Sequence, residues 1–309
     1  MECDKLVSWV HEGKIWLSCG FGPCQTRLIN GFKNGVADGE GVRPAHCDLK
    51  FIWGNPQVEE SRGWNNQLVA FDVEKDAWVW PSVRQRGNVV TPRAAHTAIA
   101  RGHDVFLFGG RLSEKRLNDL YHLDMRTFTW TLLNQHVEQT SENSLMPSGR
   151  SWATLSLVSE NEAILYGGYD VHRKPLNDCW KLSLTKDVTS NKWTRLTHMD
   201  AGPRLWHTSI YEKISGQVWI LGGVVCDIMG TRYGDKIDMA DQILTLRVGP
   251  KPLTSSCIDL VARAPERFKD DLPYLPREVL AAVRIQCERL KLDNERRRNS
   301  NQNGRSVSL

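Results

Sequence analysis

Short apolar runs that end in a pair of glycines recur along the chain and predict repeated β-structure. Three runs are clear: VFLFGG, which ends at Gly110, AILYGG, which ends at Gly168, and VWILGG, which ends at Gly223. The run IWLSCGFG at 15–22 is a degraded fourth copy. Apolar stretches of this length, bounded by turn residues, are typical of buried strands. The clear glycine pairs begin at positions 109, 167 and 222, so the spacings are 58 and 55 residues.

Matched motifs flank these runs in a constant order. A Pro-Arg or Gly-Arg motif precedes each clear run, in TPRAAHT (91–97), SGRSWAT (148–154) and GPRLWHT (202–208). Features repeated at about 50 residues are the signature of kelch-like units. Each unit is a small antiparallel sheet that buries both faces only against its neighbours around an axis. We therefore predict four units, at residues 1–86, 87–146, 147–201 and 202–250.

The predicted fold is all-β: a kelch β-propeller with about four blades, followed by a short C-terminal α-helical segment. Kelch propellers usually have six blades, and this chain begins almost directly in a strand. We therefore expect the chain to be a fragment or variant product, or to share its ring with another chain. An open array of four blades would expose sheet edges and a large apolar face.

The apolar pattern changes to a helical period from about Pro250. The segment at 251–292 is predicted to form two helices, the second with Pro276 near its first turn. The segment at 293–309 is polar and rich in Asn, Arg and Ser, so we expect it to be disordered.

Composition favours an intracellular protein, in the nucleus, the cytoplasm or both. Apolar residues make up 40% and charged residues 25% of the chain, and no run approaches the roughly 20 apolar residues that span a bilayer. The first residues do not resemble a secretory signal. The net charge of +4 is mild, with Arg296, Arg297 and Arg298 in the last segment, so we expect no nucleic-acid partner.

No motif in the sequence supports catalysis. The chain has no Gly-rich phosphate loop, no His pair at metal-ligand spacing and no nucleophile elbow. Its eight cysteines form no CxxC pair, which argues against a zinc site and a disulfide framework. A propeller oxidase would need clustered Tyr, His and Cys ligands, which the sequence does not offer. We therefore expect a binding protein that is not an enzyme and holds no metal or cofactor.

Candidate binding residues cluster around the glycine pairs. Arg111 follows the first clear pair directly, Arg116 lies five residues on, and Ser151 opens the next unit. Two guanidiniums and a hydroxyl suit a carboxylate, which the planar Arg fork binds with two hydrogen bonds. Aromatic walls are predicted from Trp64, Trp152 and Trp206. The alternative is that these arginines pair with acids of the blades and that the tryptophans belong to the core.

The motifs PRAAHT, FGGR, RLNDLYHLD, GRSW, YGGY, PLNDCW and PRLWHT resemble the kelch-repeat substrate receptors of cullin-2 and elongin B/C ubiquitin ligases. Receptors of this family recognise substrates that end in glycine. The resemblance implies that Arg111, Arg116 and Ser151 hold the terminal carboxylate. It further implies a basic residue at Lys5 and the aromatic walls named above. Phe21 stands where the family has a Tyr, so one hydrogen bond to the ligand is in doubt.

The C-terminal helices carry two adaptor motifs of the same family. An elongin-binding box fits Pro252, Leu253, Cys257 and Val261, and a cullin-2 box fits Leu275, Pro276, Val279 and Val283. Physically, the first is an amphipathic helix that lays Leu and a small Cys into a partner's groove. Both boxes in this order after a kelch array imply elongin B/C and cullin-2 as partners.

Two alternatives stay open. The chain is a plain kelch interaction module, whose terminal helices only cover the last blade and do not bind elongin. Otherwise it is a truncated competitor of such receptors, which binds elongin through its helices but does not bind the C-terminal degradation signal (degron) of a substrate.

Overall fold

The computed structural model describes residues 4–23, 62–79, 86–137, 145–197, 201–230, 236–249 and 253–303. The chain divides into two compact units. The first comprises Met1–Tyr211 and Val218–Leu246, and the second comprises Glu212–Gln217 and Arg247–Leu309. The long insertion between Pro23 and Arg62, which matches no repeat motif, lies outside the described residues.

The first unit contains four successive β-sheets in the part of the chain that is described. Sheet 1 has the order β1-β2-β3-β4, with strands Val7–His11, Lys14–Pro23, Arg62–Asp72 and Ala77–Val79. Sheet 2 has the order β5-β9-β8-β7-β6, with strands Arg86–Gly87 (β5), Thr97–Arg101 (β6), Asp104–Leu112 (β7), Lys115–Asp124 (β8) and Thr129–Asn134 (β9). Neighbouring strands in both sheets are antiparallel, except that β5 pairs in parallel with β9.

The remaining two sheets repeat this meander. Sheet 3 has the order β10-β11-β12-β13, with strands Thr154–Ser159, Glu162–Tyr169, Pro175–Ser183 and Lys192–Arg195. Sheet 4 has the order β14-β15-β16, with strands Thr208–Glu212, Gln217–Leu221 and Leu244–Arg247. The first strands of successive sheets approach each other, β1 with β6 and β6 with β10, as in the blades of a propeller.

Alternating apolar residues pack each blade between its neighbours. In β7, Val105 and Leu107 join the cluster that sheet 1 supplies with Trp9 and Trp16. The intervening residues face the other way, into a second cluster with Leu165, Trp180 and Trp193 of sheet 3; they include Phe106 and Phe108. This two-residue period is what a strand buried on both faces requires.

The glycine pairs allow close approach of the backbone around them: the first glycine faces the next blade, as Gly109 does Arg150, and the second faces its own blade. Gly110 has φ +100, and a Cβ built there would lie 2.8 Å from the Cβ of His96 and 2.9 Å from the carbonyl oxygen of Ala94. The strand register shifts at this pair and at the corresponding positions of β2 and β11. The degraded copy at 15–22 therefore forms the same bulge as the clear runs.

A buried ion pair fixes each of the two central glycine pairs. Arg93 places its guanidinium 2.6 and 2.8 Å from the carboxylate oxygens of Asp119, and Arg150 lies 2.6 and 2.9 Å from those of Asp178. The same arginines donate to the carbonyl oxygens of Gly109 and Gly167. These bidentate pairs satisfy the arginines of the first two motifs, TPRAAHT and SGRSWAT, inside the blades.

The outer faces of the end sheets are less covered than the faces between blades. Ile210 of β14 stands at the repeat position of Ile99 in β6, yet it is 60% exposed, whereas Ile99 is 7% exposed. Val10 of β1 is 73% exposed. Both end sheets thus carry apolar side chains that no blade formed by the described residues covers.

The second unit contains two α-helices. Helix α1 spans Leu253–Arg263 and helix α2 spans Arg277–Asn303, with single 3-10 turns at Pro265–Phe268 and Leu272–Tyr274 between them. Ile258 and Ala262 of α1 are buried, as is Val283 of α2, and Gln286 donates to Asp259 across the pair at 2.8 Å. No helix in the described ranges is long and apolar enough to cross a membrane.

The chain beyond Asp293 corrects one expectation. We expected disorder from 293 onward, but α2 continues to Asn303. The segment is rich in Arg and Asn and has no Gly or Pro before Gly304, so no helix breaker interrupts it. Polar composition alone therefore did not distinguish a solvated helix from disorder.

Candidate functional site

A row of four backbone positions defines one end of the blades. Two residues before β1, β6, β10 and β14 the chain adopts a left-handed conformation, with φ between 55° and 58°, at Lys5, Ala95, Trp152 and Trp206. Left-handed backbone is unfavourable for residues other than glycine, by about 1–2 kcal/mol each. Four such residues at equivalent positions indicate that the surrounding fold imposes this conformation.

Main-chain hydrogen bonds link this row from blade to blade. The Ala95 amide donates to the Lys5 carbonyl at 2.7 Å, and the Trp152 amide donates to the Ala95 carbonyl at 2.8 Å. The preceding residue in each case pairs with the residue that follows a glycine pair, in the bridges Asp4–Phe21, Ala94–Arg111, Ser151–Tyr169 and Leu205–Val224. Backbone geometry thereby brings together residues that lie far apart in the sequence.

Two arginines lie opposite each other next to the second position of this row, since Arg111 bridges to Ala94, the neighbour of Ala95. Arg111 of β7 and Arg116 of β8 are directly opposite in the hairpin register. Arg111 donates to the carbonyl oxygen of Ser113 at 2.6 Å and contacts Glu114 at 3.3 Å, but the Glu114 side chain is 86% exposed. Directly opposed like charges destabilise a strand pair unless an anion lies between them.

Arg116 is buried without an ion-pair partner among the described residues. It is 7% exposed, makes no ion pair within the described ranges, and its Nε has no hydrogen-bond partner there. Its guanidinium lies 5.9 Å from the ring of Trp152 and 5.7 Å from that of Tyr169. Burial, followed by the charge of Arg111, lowers the pKa of Arg116 to about 10. Arg116 therefore remains a cation at neutral pH with hydrogen-bonding capacity to spare.

A buried hydroxyl and an indole N–H lie beside the arginines. Ser151 is fully buried, and its Oγ has no partner among the described residues; the same holds for Nε1 of Trp152. Buried polar atoms without partners are rare in native proteins and each requires an explanation. Three of them are donors on Arg116, Ser151 and Trp152; Ser151 and Trp152 are adjacent in sequence, and the Arg116 guanidinium lies 5.9 Å from the Trp152 ring.

Aromatic rings line this cluster. Trp152 packs edge-on against Trp206, with 5.2 Å between the ring centroids, and lies 5.9 Å from Tyr169. Trp206 is 48% exposed and so lies at the surface of the cluster. Sequence analysis missed Tyr169, whose hydroxyl donates to Asp227. Its position after the glycine pair of YGGY, equivalent to Arg111 in FGGR, was the available signal.

The predicted residues of sheet 1 form a separate group. The Nζ of Lys5 lies 5.6 Å from the ring of Phe21, which packs edge-on against Trp64 at 5.0 Å. Trp64 is only 5% exposed, so it lies within the blade rather than on an open wall. This group connects to the next blade through the backbone bond between Lys5 and Ala95.

The two roles of arginine in this chain are separable by structure. Arg93 and Arg150 pair with blade acids and lie in the core. Arg111 and Arg116 have no such buried partner within the described ranges. Of the candidate tryptophans, Trp64 lies in the core, as the alternative interpretation expects, whereas Trp206 is 48% exposed.

The elongin-box residues on α1 are largely on its outer face. Leu253 is 80% exposed, Cys257 is exposed and Val261 is half-buried, while Pro252 lies outside the described residues. Leu260, one turn beyond Cys257, is 60% exposed. The helix thus presents an apolar stripe opposite the face that packs on α2.

The cullin-box residues are distributed differently. Pro276 is exposed, and Leu275 and Val279 are half-buried, but Val283 is 3% exposed and belongs to the buried side of the helix pair. Its apolar character is explained by packing within the second unit. The structure therefore leaves three of the four residues accessible.

Successive antiparallel meanders of three to five strands, glycine bulges and a lined end surface define a kelch-type β-propeller, a class of protein-interaction module. Residues 51–241 match the model of the Attractin/LZTR1 beta-propeller family, and the chain belongs to that family. This finding confirms the expected fold class. Neither this family nor the similar proteins named below indicate an enzyme.

Curated proteins with similar sequences carry kelch names, which confirms the resemblance. Kelch domain-containing protein 1 of Homo sapiens is 29% identical over 281 residues, and Kelch domain-containing protein 2 of Bos taurus is 28% identical over 282 residues. Each alignment covers 91% of this chain and 61% of the relative. Kelch domain-containing protein 3 of Bos taurus is 38% identical over 88 residues, 28% of this chain and 22% of that protein. The chain thus spans about three-fifths of the length of the first two relatives.

Proposed function

We propose that this chain is a substrate receptor of a cullin-2 and elongin B/C ubiquitin ligase that binds proteins ending in glycine. The observation that carries the proposal is the pair of opposed arginines, Arg111 and Arg116, beside the buried and unpartnered hydroxyl of Ser151. A carboxylate accepts about four hydrogen bonds, which matches the donors that this cluster offers.

The electrostatics favour an anion over a neutral ligand. Arg116 is already desolvated in the free protein, so binding a carboxylate does not repeat that cost. An anion between Arg111 and Arg116 would also remove the repulsion between them. A C-terminal amide lacks the charge and one acceptor oxygen, so it would leave donors unsatisfied.

The aromatic residues account for a preference for small C-terminal residues. Trp152 and Tyr169 lie beside the guanidinium of Arg116, and Trp206 packs on the edge of Trp152. A ligand that reaches Arg116 must lie along these rings, where glycine leaves the main chain free to approach. Phe21 has no hydroxyl, so the ligand would have one hydrogen bond fewer than in relatives with Tyr.

The first experiment compares two peptides. The protein is co-expressed with elongin B and C, and its affinity is measured for a fluorescent peptide ending in Gly-Gly and for the same peptide as a C-terminal amide. We expect binding of the free acid and at least tenfold weaker binding of the amide. Equal affinity for both peptides would overturn the carboxylate pocket.

The helix pair supports the adaptor half of the proposal. The exposed stripe of Leu253, Cys257 and Leu260 has the spacing of an amphipathic helix that docks in a groove. Leu253→Asp is expected to abolish co-purification with elongin, because a charge cannot enter an apolar groove. Ile285→Asp is the matched control, since Ile285 is 66% exposed on α2 and lies outside both boxes.

The competitor remains the second candidate, favoured by the uncovered faces of the end sheets. Co-purification of elongin without binding of either peptide would support it. Absence of elongin together with binding of the free acid would instead support an interaction module outside the ligase. The combination of the two readouts thus separates the three functions.

A further inference from the structure

We propose that His11, Glu12 and His103 form a binding site for a transition-metal ion of the zinc class. Their ligand atoms all lie within 4.8 Å of one another. The Nε2 atom of His11 is 3.6 Å from a carboxylate oxygen of Glu12, and the rings of His11 and His103 are 5.0 Å apart at 74°. Two imidazoles and one carboxylate are a common ligand set for Zn²⁺.

Packing of two blades creates the cluster. His11 ends β1 and Glu12 begins the turn to β2, while His103 lies in the turn between β6 and β7. The histidines are separated by 91 intervening residues, so no sequence spacing could reveal them as a pair. The proposal therefore differs from the expectation, made from sequence alone, that the chain holds no metal.

The main chain at both turns is held in place. The Trp16 indole donates to the carbonyl oxygen of His11 at 3.3 Å, and the Met125 amide donates to that of His103 at 2.8 Å. Zn–N bonds of about 2.0–2.1 Å place tetrahedral ligands about 3.4 Å apart, so ligand atoms as far apart as 4.8 Å must approach by up to about 1.4 Å. Glu12 and His103 are exposed and can do so by side-chain rotation alone.

The ligand types select the metal. Nitrogen ligands favour Zn²⁺, Ni²⁺ and Cu²⁺ over Mg²⁺ and Ca²⁺, which take oxygen ligands. Three protein ligands leave one tetrahedral position for water or for a residue of another molecule.

The site is distinct from the carboxylate pocket and joins two blades. It lies at the start of β7, whereas Arg111 lies near the other end of this strand of 9 residues. At the same end of the next blade pair, Arg101 of β6 donates to the carbonyl oxygen of Glu160 at 2.9 Å. Metal binding by the two histidines would supply the corresponding link between sheets 1 and 2.

The test is a Zn²⁺ titration of untagged, chelator-treated protein by calorimetry. We expect one equivalent to bind and His103→Gln to weaken binding at least tenfold, with His172→Gln, an exposed histidine outside the cluster, unchanged. Glu12→Gln provides a second variant that keeps both imidazoles. No saturable binding at roughly 100 µM Zn²⁺, or equal affinity in all variants, would overturn the site.

Substitution by Co²⁺ identifies the ligands independently. Tetrahedral nitrogen and oxygen coordination gives visible bands without a thiolate charge-transfer band. A thiolate band would instead assign the metal to the cysteines, among which Cys257 is exposed. That result would also count against the proposed cluster.

Discussion

At the scale of single residues, the chain uses arginine in two opposite ways. Arg150 is buried and bonded to Asp178 at two points, so it completes the interior of a blade. Arg116 is buried and faces another cation. Removing the first exposes an unsatisfied acid, whereas removing the second relieves a cost of burial. Substitution of Arg150 should therefore affect stability, and substitution of Arg116 should affect ligand binding.

We expect Arg116→Ala to leave the free energy of unfolding within about 1 kcal/mol of wild type, because no buried partner loses its counter-charge. Arg150→Ala should cost about 3–5 kcal/mol, since Asp178 stays behind. The free energy of binding to a peptide carboxylate should become less favourable by about 2–4 kcal/mol in Arg116→Ala. Urea unfolding and fluorescence titration measure the two effects.

Arg126→Ala is the matched control, since its side chain is 62% exposed in the same sheet. Unchanged peptide affinity in Arg116→Ala would contradict the assignment of the pocket.

Two buried histidines give stability a defined dependence on pH. Burial, assisted by Arg93, lowers the pKa of His96 to about 3, and burial with Arg204 lowers that of His207 to about 4. Below pH 6.5 the unfolded chain gains protons at these residues while the folded chain does not, so stability falls as the pH falls. Each histidine contributes up to about 1.4 kcal/mol per pH unit.

We expect the urea midpoint to decrease between pH 7 and pH 5.5, above the range in which most carboxylates titrate. His207→Gln should reduce this decrease, whereas His172→Gln, at an exposed position, should not change it. An identical pH dependence in wild type and His207→Gln would argue against a neutral buried His207.

At the scale of elements, the glycine bulge is the feature on which the blades depend. Gly110→Ala would bring a methyl group within 2.8 Å of His96 at φ +100, so we expect a loss of about 3 kcal/mol or more. Gly102→Ala has φ +58 but no atom within 4 Å of the added Cβ. That control should cost only about 1–2 kcal/mol.

Thermal unfolding of both variants measures the difference. Similar losses would show that backbone strain, rather than the close contact with His96 and Ala94, explains the glycine at position 110.

Local sequence signals were sufficient for the strands and insufficient for what depends on packing. The runs before Gly110, Gly168 and Gly223 predicted buried strands because alternation and turn residues are local properties. Arg111 and Arg116 were predictable as neighbours, since they flank one tight hairpin. Tyr169 and His103 were not, because each acquires its partners from another blade.

The helical segment shows the same division. Leu253 and Cys257 were expected on an outward stripe, and they are exposed. Val283 was assigned to a partner surface but is buried in the helix pair. An apolar residue on an amphipathic helix fits either role by spacing alone, and only packing distinguishes them.

At the scale of the whole molecule, the same substitution at equivalent positions should cost different amounts of stability, depending on whether another blade packs on that side. Ile99→Ala should cost about 2–4 kcal/mol, because Ile99 fills the cluster between sheets 2 and 3. Ile210→Ala should cost less than about 1 kcal/mol, because Ile210 is 60% exposed.

Chemical denaturation of both variants measures the two losses of unfolding free energy, which are compared at the same position of the repeat. A large loss in Ile210→Ala would mean that its face is covered in solution, and its dependence on protein concentration would then show whether a second copy covers it.

The four left-handed positions offer a way for ligand specificity to change while the backbone stays the same. Main-chain bonds join Lys5 to Ala95 and Ala95 to Trp152, and Trp206 repeats their left-handed conformation. One backbone geometry therefore already carries an ammonium group, a methyl group and two indoles. Substitutions at these four positions should therefore change which ligand is bound while leaving the fold of the blades intact.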